Sequence, residues 1–137
     1  MTTQRRSRAR EIALQALYQI DLNPHVAPDD LKRFVTARLH GGPLVPFSLE
    51  LVRGVQGHLS ELDTLLDSSA EHWRVARMAA TDRGILRLAT YEILHTDTPP
   101  AAAADEAIEL AKRYGGEGSG PFVAGILGRI IADRAGA

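Results

Sequence analysis

Cysteine is absent from this sequence of 137 residues, and several kinds of site are excluded with it. A chain without thiols forms no disulfide and offers neither a thiolate nucleophile nor a thiolate zinc ligand. The composition is compatible with a reducing compartment, and we expect a cytoplasmic location.

Long apolar runs are also absent. No segment approaches the roughly 18 consecutive apolar residues of a transmembrane helix. The N-terminal arginines lead into a segment that contains Gln, Tyr and Asp, whereas a signal peptide would continue as an unbroken apolar stretch. We therefore predict neither a signal peptide nor a membrane partner.

Recognisable catalytic and metal-binding patterns are missing as well. Residues Gly115 to Gly120 follow a predicted helix, and no Gly-Lys-Ser/Thr comes after them, so they are interpreted as a turn and not as a phosphate-binding loop. The histidines show no metal-ligand spacing, and we expect surface or structural roles for all of them: His25, His40, His58, His72 and His95. We predict no enzyme activity, no cofactor and no metal.

The composition is that of one ordinary globular domain, with 45% hydrophobic and 24% charged residues. No segment shows strict period-two alternation, so the fold class is predicted to be all-α. The apolar spacing from Phe47 predicts the longest helix, of about twenty residues, and its glycines Gly54 and Gly57 indicate either close helix packing or simple tolerance. A central helix is predicted from Arg83 to His95, and Gly115 is expected to end the next helix in the left-handed conformation.

The most informative segment is Arg5 to Tyr18, which reads RRSRAREIALQALY. On a helix, the core-facing side that contains Leu14 and Leu17 continues back to Arg10 and then to Arg6. Residues 1–20 carry a net charge of +3 and residues 21–137 a net charge of −4. This asymmetry indicates a nucleic acid or another anionic surface as partner; the alternative is a solvated, frayed N-terminus.

Three segments together resemble the NusB family of bacterial transcription antitermination factors. They are RRSRAREIALQALY, DRGILRLATYEILH and DEAIELAKRYGGEGSGPFVAGILG, in the family's order and near its usual spacing. The resemblance implies about seven helices in two roughly perpendicular bundles. It also implies that residues 1–137 form a single RNA-binding domain with an arginine-rich segment at residues 5–10.

The function implied by the resemblance is not catalytic. Family members bind the boxA element of ribosomal RNA leader transcripts together with NusE, a ribosomal protein of the small subunit. With other Nus factors they join RNA polymerase and make elongation resistant to termination. The family contains monomers and homodimers, and the sequence does not decide between the two states.

Site residues follow from the family's motifs. The residues expected to bind RNA are Arg5, Arg6, Arg8, Arg10, Arg87 and Phe122. The residues expected to contact the partner protein are Gln15, Tyr18 and Asp82. Core packing remains the alternative role for Phe122, and an ordinary exposed helix face remains the alternative for Gln15 and Tyr18.

The sequence departs from the family pattern at a few polar positions, whose effect on RNA and partner affinity the sequence leaves open: Ser7, Asp105, Gly118, Pro121 and Ala124. Two other functions stay under consideration. One is the NusB-like N-terminal module of a ribosomal RNA cytosine methyltransferase, against which the length of the chain argues. The other is a helical scaffold whose basic segment has no RNA role.

Overall fold

The computed structural model describes residues 2–135 and the side chains of residues 6–135. This part of the chain contains seven α-helices, a short 3-10 helix at Val75–Arg77 and no strand, which confirms the all-α prediction. The helices are α1 (Thr2–Leu22), α2 (Pro28–Leu39), α3 (Leu44–Gly57), α4 (Leu59–Ser69), α5 (Ala80–His95), α6 (Pro100–Tyr114) and α7 (Ser119–Ala135). No described helix has the length and apolarity needed to cross a membrane.

Helix α5 lies at the centre of the molecule. It packs against α1 and α3 on one side and against α4, α6 and α7 on the other, so that two helical bundles share it. Its residues Ile85, Leu86 and Leu88 are almost completely buried, in keeping with a segment that is apolar on most sides. The two-bundle arrangement therefore depends on burial of this one helix.

Small residues bring α1 close to the helices beside it. Ala9, Ala13 and Ala16 are fully buried, and the Ser48 hydroxyl of α3 donates a 2.9 Å hydrogen bond to the Ala9 carbonyl oxygen. Short side chains allow such close contact between helix backbones. The N-terminal half of α1, which carries the arginines, is thereby fixed against α3.

The prediction of one long helix from Phe47 is wrong, because the chain changes direction at His58. Its backbone there has φ −123° and ψ 19°, and α3 ends at Gly57 while α4 begins at Leu59. The His58 ring contributes to the break, since its Nδ1 lies 2.8 Å from the Gly54 carbonyl oxygen at the end of α3. Two helices therefore replace the predicted one, and α1, with 21 residues, is longer than either.

Close helix packing explains one of the two glycines in α3. A Cβ atom at Gly54 would lie 2.1 to 2.4 Å from the ring atoms of Tyr91 on α5, whereas one at Gly57 would have nothing within 4 Å. The left-handed conformation predicted at Gly115 is wrong, because its φ is −87°. Glycine is instead needed there because a Cβ would lie 2.5 Å from Ser119.

Candidate RNA interface

Arg10, one of the residues predicted to bind RNA, is a buried part of the core. The residue is 5% exposed, and its guanidinium donates to both carboxylate oxygens of Glu92 on α5, at 2.7 and 2.9 Å. A third contact, of 3.3 Å, reaches Glu106 on α6. Because its donors are paired with these carboxylates, Arg10 stabilises the attachment of α1 to α5 and α6.

Arg6 and Arg8 are the arginines that face outward. The Arg6 guanidinium lies 4.7 Å from the centre of the Phe47 ring, and the Arg8 side chain is 52% exposed and paired with Glu11. A guanidinium above an aromatic ring keeps N–H groups available for phosphate or base contacts. The side chain of Arg5 lies outside the described residues.

Sequence reasoning missed two basic residues that lie next to Arg8. Arg8, Arg38 and His40 line a cavity of about 330 Å³ between α1 and the loop after α2. The loop bends there because His40, Gly41 and Gly42 all have positive φ. The sequence alone showed only an exposed arginine near a helix end, since its proximity to Arg8 depends on the packing of α2 against α1.

The other side of α1 is acidic. A cavity of about 770 Å³ is lined by Arg6, Ser7 and Arg10 of α1 together with carboxylates from α6 and the segment before it. These carboxylates belong to Asp97, Asp105, Glu106 and Glu109. A polyanion is repelled by such a surface. The basic face formed by Arg8, Arg38 and His40 is therefore the candidate RNA interface, and Arg6 lines the acidic cavity beside it.

Glu11 connects this basic face to the end of α6. Its buried carboxylate accepts hydrogen bonds from Arg8, from Tyr114 and, at 2.8 Å, from Arg113. Burial acts to raise the pKa of Glu11, but hydrogen bonds from Tyr114, Arg113 and Arg8 outweigh it and hold this pKa below its ordinary value. The pKa of Tyr114 is raised by burial and by its bond to the Glu11 carboxylate.

Arg87, also predicted to bind RNA, does not line the cavity that contains Arg8. Its guanidinium forms two 2.8 Å hydrogen bonds with Asp63 of α4 and approaches Asp21 to 3.9 Å. Asp21 is in the last turn of α1, about 22 Å along the helix from Arg6 at 1.5 Å per residue. Arg87 therefore joins α5 to α4 and to the far end of α1.

Phe122 is also away from the arginines. Its ring is partly buried against the core and meets the Trp73 ring edge-on, with the centres 5.8 Å apart. Trp73 itself is 55% exposed. The core-packing alternative considered for Phe122 fits this position, and the structure does not bring the ring together with Arg6 or Arg8.

Two of the three residues expected to contact a partner protein line one cavity. Gln15 and Tyr18 line a cavity of about 350 Å³ whose other walls include Phe34, Arg38 and Thr81. Asp82 follows Thr81, and its Oδ1 is buried without a hydrogen-bond donor among the described residues. A partner that supplies a donor would satisfy this acceptor.

Comparisons with known proteins identify the family. The model of the NusB family matches residues 7–132. The chain belongs to the NusB family. A transcription antitermination protein NusB from an Anaeromyxobacter species is 44% identical over 135 residues, which cover 93% of this chain and 90% of that protein.

Solved NusB structures share the fold. The NusB of T. maritima superimposes with a TM-score of 0.83 at 37% identity, over 93% of this chain and 91% of that one. A NusB chain from a crystal structure of the antitermination factors NusB and NusE in complex with double-stranded RNA gives a TM-score of 0.84 at 25% identity, over 95% and 98% of the two chains. The expected family fold is thus confirmed.

Proposed function

We propose that this NusB-family chain is a non-catalytic transcription antitermination factor. It binds the boxA RNA of ribosomal RNA leader transcripts together with NusE and acts with RNA polymerase and other Nus factors in the cytoplasm, as a single domain over residues 1–137. The observation that carries the proposal is the position of Arg38. This residue lines both the cavity that contains Arg8 and the cavity that contains Tyr18, so that the basic face and the partner cavity adjoin.

RNA recognition uses Arg8 and Arg38 of the basic face and Arg6 beside it, with Arg5 of the N-terminal segment as a further contributor. Guanidinium groups pair with phosphates in fork geometry and stack on exposed bases of single-stranded RNA. The Phe47 ring under Arg6 holds that guanidinium in place. Three neutralised phosphates correspond to a salt slope of about −2 for a single strand, or about twentyfold weaker binding at 200 than at 50 mM salt.

The partner cavity is suited to NusE because it combines apolar walls with polar side chains. Tyr18 is 42% exposed, and aromatic residues of this kind are common anchors at protein interfaces. Arg38 donates a 3.1 Å hydrogen bond to the Gln15 side chain, so a protein bound at Gln15 would contact the same residue that borders the basic face. A bound partner would thereby extend the RNA-binding surface.

The antitermination function is favoured over the methyltransferase module. The Anaeromyxobacter relative, which this chain covers over 90% of its length, is named as a transcription antitermination protein.

The basic face lies beside a large acidic cavity, and only a few arginines belong to the basic face. We therefore expect weak RNA binding by the isolated chain and tighter binding with the partner.

A three-component binding experiment tests the proposal. Affinity for a boxA-type RNA is measured by fluorescence anisotropy with and without NusE, for the native chain and for Tyr18→Ala. We expect NusE to raise the affinity of the native chain at least about tenfold, and Tyr18→Ala to remove most of that gain, because an interface anchor contributes about 2 kcal/mol. Trp73→Ala, which removes an exposed aromatic residue elsewhere, should leave the gain intact. Tight, selective RNA binding by the chain alone would contradict the proposal.

A further inference from the structure

A cluster of three potential metal ligands lies outside the RNA and partner surfaces. His58, Glu61 and His95 each offer one ligand atom, and these three atoms lie within 4.8 Å of one another. His58 occupies the junction between α3 and α4, Glu61 the first turn of α4, and His95 the last position of α5. Three helix ends therefore converge on one point of the surface.

The two imidazole rings are already arranged side by side. Their centres are 4.0 Å apart, with an angle of 32° between the ring planes, and the Tyr91 ring lies 5.5 Å from His95 and 5.6 Å from His58. The Nε2 atom of His95 lies 2.6 Å from the Glu61 carboxylate. One His nitrogen and one carboxylate oxygen thus already point at each other.

The orientation of His58 is fixed by the backbone. Its Nδ1 lies 2.8 Å from the Gly54 carbonyl oxygen, and since a carbonyl only accepts, Nδ1 is the nitrogen that carries the proton. In the neutral ring the lone pair is then on Nε2. A backbone carbonyl that holds the far nitrogen of a ligand histidine in this way is the usual outer-shell partner in metal sites.

We propose that His58, Glu61 and His95 bind a zinc ion, with water as the fourth ligand. Two imidazoles and one carboxylate are ligands that zinc accepts, at about 2.0 to 2.2 Å from the ion, which puts neighbouring ligand atoms about 3.4 Å apart. Side-chain rotations that move the ligand atoms by roughly 1 Å bring them to that spacing. The ion then replaces the direct contact between His95 and Glu61. The bound ion links the α3–α4 junction to the end of α5.

Zinc titration of the full-length, tag-free chain tests this site. We expect one ion per chain by isothermal titration calorimetry, and cobalt(II) in place of zinc should give the visible absorption of a tetrahedral site. At about 100 times the dissociation constant, zinc should raise the melting temperature by about 8 °C, because it binds the folded state and links three helices. The absence of stoichiometric binding would overturn the proposal.

Matched variants separate this site from incidental histidine binding. The double variant His58→Gln with His95→Gln should weaken zinc binding at least about 100-fold, since even loss of an outer-shell partner costs about 10- to 100-fold. His95→Gln alone, at an exposed helix end, gives the same test if the double variant does not fold. His72→Gln is the control, because His72 is exposed and lies 4.0 Å from Glu71 without a second histidine. Equal zinc affinity in the native chain and the His95 variant would also overturn the proposal.

Discussion

Arg10 belongs to the basic N-terminal segment but lies on the core-facing side of α1. Its guanidinium and the Glu92 carboxylate form a paired, buried unit in which Thr98 donates a further 3.0 Å hydrogen bond. Removing one partner of such a pair leaves an uncompensated buried charge, which costs about 3 to 5 kcal/mol. Arg10 is therefore essential for stability, in contrast to Arg6 and Arg8.

We predict that Arg10→Ala lowers the free energy of unfolding by about 3 to 5 kcal/mol and that Arg8→Ala lowers it by about 1 kcal/mol or less. Urea unfolding followed by circular dichroism measures both. A double variant, Arg10→Met with Glu92→Leu, should lose less stability than Arg10→Ala because no buried charge remains unpaired. Similar losses for Arg8→Ala and Arg10→Ala would contradict the structural role of Arg10.

Glu11 should make stability depend on pH. Its pKa in the folded chain lies below the ordinary value of 4.5, so its contribution is complete above that value and is lost as the pH falls through the folded pKa. Glu11→Gln should therefore cost about 1 to 2 kcal/mol of unfolding free energy at neutral pH and progressively less below about pH 4. Urea unfolding across this pH range measures the difference.

The control for Glu11 is Glu109→Gln. Glu109 is exposed, and its nearest cation, Lys112, is 3.9 Å away. This change should have little effect on stability at any of these pH values. If the difference in unfolding free energy between the native chain and Glu11→Gln stayed constant as the pH falls, the prediction would be contradicted. The hydrogen bonds would then not stabilise the charged form of the carboxylate.

The sequence predicts the position of Arg10 on its helix but not its contacts. Its place four residues before Leu14, on the core-facing side, was readable from helical periodicity. Its counter-ion was not, because Glu92 is 82 positions away and no local pattern pairs the two. The roles of Arg38 and His40 were missed for the same reason, since only the packing of α2 on α1 brings them to Arg8.

At the scale of helices, apolar spacing located the elements but not the break between α3 and α4. The stripe from Leu51 to Leu66 keeps helical spacing across His58, and nothing in it marks a change of direction. Leu59 has the spacing of that stripe, yet it is 40% exposed in the structure. Periodicity reports which residues could share a face, while the path of the chain depends on which faces find partners.

Gly54 and Gly57 provide a direct test of helix packing within one helix. Gly54→Ala should destabilise the chain by about 1 to 3 kcal/mol, because its new methyl group overlaps the Tyr91 ring and forces α3 and α5 apart. Gly57→Ala should have no such cost, since its position is open and alanine favours helix by up to about 1 kcal/mol. Thermal unfolding of the two variants measures the contrast, and equal melting temperatures would contradict the close approach of α3 and α5.

On the scale of the whole molecule, charge is divided between the two sides of α1. The basic face contains Arg8, Arg38 and His40, while the cavity beside α6 contains four carboxylates and is also lined by Arg6. The sequence predicted that the arginine-rich N-terminus binds a polyanion. The division of charge also indicates the side of α1 that is used: RNA should cross the side that faces α2 and avoid α6. The overall charge of −1 does not reveal this division of charge between the two sides of α1.

The most direct measurement compares the salt dependence of boxA RNA binding, in the presence of NusE, between two charge-matched double variants. One is Arg6→Ala with Arg8→Ala at the N-terminal end of α1; the other is Arg74→Ala with Arg77→Ala, which removes two exposed arginines at the 3-10 helix. We predict that the first reduces the salt slope by about 1.4 and weakens binding strongly, and that the second leaves both unchanged. Equal effects of the two variants would contradict an RNA interface at the N-terminal end of α1.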